Sequence, residues 1–189
     1  MNEAVLLLVL LNFGFIGALP RVFFRQGNLN PMWWLTTAPF FLCIVVLVAS
    51  YFEAVPAMTE GLLYRSPYLE LAAVAVAGGS IALIAFTLGT HRTRISLWHQ
   101  RDNQPERLVT YGAYGLVRHP FYASFLLALL GAVLLWPHTG TILALVYGIA
   151  ALNFTAAREE RQLLSSPMGA EYRAYMRRAG RFLPKVRST

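Results

Sequence analysis

Five runs of apolar residues alternate with polar connectors along the chain, covering about 3–19, 35–52, 68–90, 120–136 and 141–157. Each approaches the roughly 20 residues that a helix needs to cross a hydrocarbon core about 30 Å thick, and the first is barely long enough. The connector between the first two runs holds Arg21, Arg25, Gly27 and Asn30-Pro31 and ends on Trp33-Trp34, amphipathic rings suited to a membrane interface. A second connector, 53–67, carries Pro56, Glu60, Gly61 and Arg65. The third run contains Ala77-Gly78-Gly79-Ser80, small residues that let helices approach closely in lipid, within or between chains. The connector 91–119 is the longest polar segment, and Ile95, Leu97 and Trp98 inside it suggest an amphipathic surface stretch. Pro137-His138-Thr139-Gly140 predicts a tight turn that folds the last two runs into an antiparallel hairpin. In the tail, 158–189, Ser166-Pro167 reads as a cap with proline at the first helical position. The helix predicted from there to Ala179 sets Met168, Tyr172, Tyr175, Met176 and Ala179 on one side and Arg173, Arg177 and Arg178 largely on the other. Such a helix lies on the membrane surface or against the domain.

Composition agrees. Of 189 residues, 57% are hydrophobic and 13% charged, against about 25% charged in soluble domains, too few charges for a water-soluble surface. The expected fold is therefore all-α and polytopic, a single membrane domain over 1–189 with five transmembrane helices, a C-terminal helical hairpin and a cytosolic amphipathic tail helix. The first run lacks a basic leader and a small-residue cleavage site, so it is expected to be a retained span. The lone cysteine, Cys43, lies in an apolar run, which excludes an internal disulfide and a CxxC metal site.

Charge placement sets the orientation. With five spans, 15 of the 16 Lys and Arg residues fall on the side of the first connector, the third connector and the tail, and only Arg65 on the other. By the positive-inside rule the N-terminus is outside and the C-terminus cytosolic, with the bacterial inner membrane as the expected location. The net charge of +7 thus follows topology and membrane lipids and does not point to nucleic acid.

Candidate chemistry gathers where the long connector meets the fourth run, in Leu108 to Ser124, LVTYGAYGLVRHPFYAS. Pro120 suits the first turn of a helix, leaving His119 at its cap and Arg118 just outside. Unpaired N–H groups and the helix dipole at that end favour an anion. Glu159 and Glu160 close the fifth run on the same side, so the hairpin makes them neighbours of His119. The pattern alone calls for a polar ligand carrying both charges.

Leu108-Val109-Thr110, Gly112, Tyr114, Val117-Arg118-His119-Pro120 and Tyr122, followed by Glu159-Glu160, Leu163, Gly169, Tyr172, Tyr175 and Arg181-Phe182-Leu183-Pro184, closely resemble the integral-membrane methyltransferases of the isoprenylcysteine carboxyl methyltransferase and phospholipid methyltransferase type. The resemblance covers roughly 108–185. It implies S-adenosylmethionine as cofactor and methyl transfer to a lipophilic acceptor entering from the bilayer: a prenylcysteine-like thiol or carboxylate, a phospholipid amine or another small lipophilic molecule. It implies cofactor-binding roles for His119, Tyr122, Glu159, Glu160, Tyr172, Tyr175 and Arg181, and catalytic roles for Glu160 and Arg118. No metal is expected. The helix N-terminus with His119 and Arg118 suits the cofactor carboxylate, a glutamate its ammonium or ribose hydroxyls, and the tyrosines its adenine or sulfonium. A carboxylate acceptor needs no base, whereas a thiol or amine does, and Glu159 or Glu160 is the candidate. Ala113 stands where the family commonly has proline and Ser124 where it usually has glycine.

Each residue also has a plainer reading: His119 as a simple cap, Arg118 as an interfacial anchor, and the tyrosines as belt or packing residues. Arg181 fits lipid phosphate as well as an anionic ligand. Two adjacent acids point in different directions on a helix, so at most one glutamate is expected to face the site, with Glu160 favoured. His91, His99 and His138 show no metal-ligand spacing, and Glu70 reads as an interface residue. The rival readings are a membrane reductase using a nicotinamide cofactor, which sterol reductases suggest by their similar build, and a transporter or scaffold. Against transport, the spans carry almost no ionisable residue at mid-depth.

Overall fold

The structure is a computed structural model that describes residues 2–22, 32–54, 66–90 and 108–185. The expected surface stretch at Ile95, Leu97 and Trp98, with His91 and His99, and most of the first two connectors lie outside the described residues. Each apolar run forms a helix: α1 (Glu3–Val22), α2 (Met32–Tyr51), α3 (Pro67–Thr90), α5 (Pro120–Leu135) and α6 (Thr139–Leu164). A single helical turn, α4 (Ala113–Leu116), precedes α5, and α7 (Gly169–Arg178) lies in the tail. Among the described residues there is no strand beyond one isolated bridge.

By length and composition α2, α3 and α6 can cross a membrane, while α1 and α5 are shorter apolar helices. The 16 residues of α5 rise about 24 Å at 1.5 Å each, short of a full hydrocarbon core. Leu7, Leu11, Val45, Leu71, Val146 and Phe154 point outward and exposed. A bundle apolar both inside and outside belongs in lipid, and the chain is an integral membrane protein.

The shortest of these helices is the most enclosed. Helix α5 packs against α1, α2, α3, α4 and α6, and most extensively against α3. Close approach to α3 depends on Ala73, Ala77, Ser80 and Ile84, a helical stripe that is fully buried. Gly131 of α5 sits so near that a β-carbon there would lie 3.7 Å from the Ala73 carbonyl and the Ala77 methyl. Gly78 and Gly79 face outward with open space around them, so only half of the small-residue cluster serves packing within the chain. Phe40 of α2 meets Phe13 and Phe125 edge-on, at ring separations of 5.2 and 5.8 Å, and ties α1, α2 and α5 together.

The α5–α6 turn is capped rather than merely tight. The His138 side chain accepts from the Gly140 N–H at 3.0 Å, and Thr141 answers by accepting from the His138 N–H. At the same end, Glu70 accepts from the Asn2 N–H at 3.2 Å. Helix α6 continues to Leu164, beyond the end of its apolar run, so Glu159 and Glu160 stand within a helix rather than at its close. Helix α7 starts two residues later than Ser166-Pro167 predicts, because the Ser166 hydroxyl is held in a turn, donating to the Leu163 carbonyl and accepting from the Met168 N–H. Its apolar side packs on the chain itself: Tyr172, Tyr175 and Ala179 are buried with Leu163, and Leu108, Tyr114, Met168 and Met176 pack around them.

Candidate active site

The approach to α5 is shaped by one backbone position. Gly112 caps α4 at φ 60° and ψ −132°, a region that residues with a β-carbon rarely enter. A β-carbon there would run into the Thr90 side chain. The Thr90 hydroxyl accepts from the Ala113 N–H at 3.2 Å, a bond that the proline common in the family cannot make. Thus α3 holds the start of the segment that delivers Arg118 and His119.

Next, the two motif blocks pair with each other. Val117 and Gly180 form a parallel bridge; the Arg118 N–H donates to the Gly180 carbonyl at 2.8 Å and the His119 N–H to the Arg181 carbonyl at 3.1 Å. Gly180 is needed for this fold-back, since a β-carbon on it would collide with the Leu183 carbonyl. Tyr175 braces the pairing from α7, donating its hydroxyl to the Tyr114 carbonyl at 2.6 Å.

A charged cluster fills the space between these paired segments and α6. Arg118 donates from Nε and Nη2 to Oε1 of Glu160, at 3.0 and 2.8 Å, and from Nη1 to the Ala179 carbonyl. Arg181 grips both oxygens of the same carboxylate and reaches Oδ1 of Asn153 with Nη1. The Glu160 side chain is 4% exposed and that of Arg118 8%, but that of Arg181 is 30%. The inner pair is sealed and the outer guanidinium is open on one edge.

Both glutamates face the site, which corrects the expectation that at most one would. Glu159 and Glu160 are buried, and His119 lies between them, with Nε2 3.2 Å from Glu160 and Nδ1 3.4 Å from Glu159. Adjacent helical residues diverge by about 100°, and one imidazole wedged into that angle reaches both. Tyr122 donates its hydroxyl to Glu159 at 2.6 Å and lies parallel to the His119 ring, centroids 5.4 Å apart. Burial lowers the His119 pKa, but hydrogen bonds and charge from Glu159 and Glu160 outweigh it and leave the pKa above its usual 6.5. Burial raises the pKa of Tyr114, Tyr172 and Tyr175 well above 10, so these phenols stay protonated. Among the described residues no cluster of His, Cys, Asp or Glu is arranged to hold a metal ion.

Arg118, His119, Tyr122, Glu159, Glu160 and Arg181 therefore converge at one end of α5 and α6. Tyr172 and Tyr175 meet edge-on at 5.8 Å in the apolar pack beneath α7, and Tyr172 reaches the charged cluster from that side through a hydrogen bond with Arg118. Ser124 is fully buried against α3, its hydroxyl donating to the Phe121 carbonyl and its carbonyl accepting from Ser80. Sequence reasoning gave no role to Phe182, whose ring is 6.2 Å from His119, or to Asn153. The signal for Asn153 was present: a lone carboxamide in an apolar run, seven residues before Glu160 and so on the same helical stripe.

The sequence model of the isoprenylcysteine carboxyl methyltransferase (ICMT) family matches residues 68–165, just over half of the chain. No curated protein matches it.

Proposed function

The chain belongs to the isoprenylcysteine carboxyl methyltransferase family, and from that premise we propose that it moves a methyl group from S-adenosylmethionine to a lipophilic acceptor at the cytosolic end of α5 and α6. The observation that carries this reading is the convergence of His119, Glu159 and Glu160 under the folded-back segment 180–182. Family membership favours methyl transfer over nicotinamide reduction, transport or a scaffold role. We further propose five spans in one membrane domain, since 15 of 16 basic residues then lie on the cytosolic side.

The donor set fits such a zwitterion. His119 spends both ring nitrogens on Glu159 and Glu160 and holds them in place, while the start of α5 offers a positive dipole end for a carboxylate. Glu159 presents an acceptor for an ammonium or a hydroxyl. Tyr122 and Phe182 flank His119 with aromatic faces, which attract a sulfonium. When bound, the cofactor supplies an electrophilic methyl group and needs little covalent help. The protein's part is to hold, orient and exclude water. Glu160 anchors two guanidinium groups, and with its oxygens so committed it holds Arg118 in place rather than taking a proton. Glu159, bound among the described residues only by Tyr122 and His119, is the better placed of the two to accept a proton from a thiol or amine. Tyr172 and Tyr175 act from beneath by holding the tail closed.

The test is calorimetric titration of S-adenosylhomocysteine into the purified protein, beside His119→Ala and Glu160→Gln. The expected result is binding by wild type, weakened about tenfold or more, some 1.4 kcal/mol, by each substitution. No binding to wild type at millimolar ligand, in detergent and in nanodiscs alike, overturns the reading.

A further inference from the structure

Just past the site the tail closes on itself. A β-carbon on Gly180 would strike the Leu183 carbonyl, and Lys185 donates from Nζ to the Met176 carbonyl at 2.9 Å and the Arg177 carbonyl at 3.4 Å. Lys185 thus caps the C-terminal end of α7, where a cation is favoured, and 180–185 becomes a tight loop. Its tip is Leu183, 79% exposed. Arg177, Arg178 and Lys185, which the cap gathers at the end of α7, are exposed as well. Neither arginine has an ion-pair partner among the described residues. The nearby acids are spoken for or out of reach: Glu159 and Glu160 are buried in the charged cluster, and Glu171 stands in the first turn of α7, nearly two turns before the arginines.

The loop lies beside α6 rather than above it. Arg181 reaches Asn153, which precedes the end of α6 at Leu164 by about 16 Å of helix. The 26 residues of α6 rise about 39 Å, whereas a hydrocarbon core is about 30 Å thick. Leu183, two residues from Arg181, therefore stands near the level where acyl chains meet headgroups. A leucine so exposed is favoured in lipid over water, and long cationic side chains beside it extend to the phosphates. Positive charge at the headgroup plane selects anionic lipid. The same loop carries the cover of the site, since the Arg118 and His119 N–H groups donate to the Gly180 and Arg181 carbonyls.

We propose that 180–185 is a bilayer anchor. Leu183 enters the edge of the acyl region, Arg177, Arg178 and Lys185 hold the phosphates of anionic phospholipids, and this docking keeps 180–182 closed over the site. These lipids are bound and not methylated. The purpose of the closure, retention of the cofactor, rests on the methyl-transfer reading; the docking itself does not.

The test places Leu183→Trp, in the full chain, in phosphatidylcholine nanodiscs containing about one-third phosphatidylglycerol, with bromine on the acyl chains of one lipid or the other. Quenching of the emission that the substitution adds reports which lipid lies against the loop. The expected preference for phosphatidylglycerol is about fivefold, close to 1 kcal/mol. Adding Arg177→Gln, Arg178→Gln and Lys185→Gln is expected to abolish it. Arg158→Gln, Arg161→Gln and Arg173→Gln together, which remove equal charge from other exposed positions at the same end, are expected to leave most of it. Closure is read by amide hydrogen exchange at Arg118 and His119, expected to be slower with phosphatidylglycerol than in phosphatidylcholine alone. Inorganic phosphate added to phosphatidylcholine discs is expected not to slow it, which separates lipid from a free anion. Equal quenching by both lipids, quenching by neither (a loop that faces water or a soluble partner), a preference that survives loss of the three cations, or exchange indifferent to phosphatidylglycerol overturns the proposal. S-adenosylhomocysteine titration of wild type in the same nanodiscs separates the two readings: no binding, with quenching and exchange as expected, rejects the cofactor site alone.

Discussion

Replacing Glu160 with glutamine keeps the side chain's size and one carbonyl oxygen but removes the charge that balances Arg118 and Arg181. The inner pair is closed to solvent, with Glu160 at 4% and Arg118 at 8% side-chain exposure, and Nη2 and Oε1 are 2.8 Å apart. Breaking a buried ion pair from one side costs about 3–5 kcal/mol, because the remaining charge stays desolvated. Glutamine still accepts one hydrogen bond, and Arg181 at 30% exposure is partly screened, so the low end, about 3 kcal/mol, applies. For a chain of this length that is a fall of about 6–12 °C in melting temperature. Removing both charges in Glu160→Gln with Arg118→Met leaves no orphaned ion between them, so the double variant is expected to lose at least about 1 kcal/mol less than the two single losses combined. Thermal unfolding in detergent, followed by intrinsic fluorescence, gives all four values. The exposed Glu171→Gln on α7 serves as the control, with an expected change within about 0.5 kcal/mol. A Glu160→Gln melting temperature within about 2 °C of wild type, or strict additivity in the double variant, refutes the assignment of this pair as the electrostatic centre of this end of α5 and α6.

Two further outcomes are expected. The His119 pKa is raised above 6.5 in the folded state, so its stabilising contribution is complete below the unfolded value and lost as pH rises through the folded one. Melting of the ligand-free protein should thus fall on going from about pH 6 to about pH 9, and His119→Gln should flatten that dependence; a wild-type profile matching the variant refutes it. Gly112→Ala places a β-carbon at φ 60° against Thr90, and should cost about 2–4 kcal/mol through backbone strain and loss of the Thr90–Ala113 bond. Thermal unfolding checks it, and a loss below about 1 kcal/mol would show that the segment before α5 is free to shift.

Much of this protein is determined by local sequence. Runs of apolar residues make helices wherever the chain lies in lipid, because each backbone group must then be paired within its own segment. The short turn at 136–138 makes α5 and α6 antiparallel, which places Pro120 and Glu159 at the same end without knowledge of any other contact. The apolar side of the tail helix is likewise legible from its spacing, as Tyr172, Tyr175 and Ala179 show. Long-range pairings are different, because periodicity records which side of a segment is buried but not what lies against it. Only the tertiary structure brings Gly180 against Val117, and with it Arg181 over Glu160 and Asn153. Only the wedge position of His119 lets two diverging glutamates share one site. Even the use of Thr90 as the partner of Ala113 crosses 23 residues of sequence. These contacts join segments whose own patterns are complete without them, and so the bilayer and the local chain decide the helices, while the meeting of the two motif blocks decides the site.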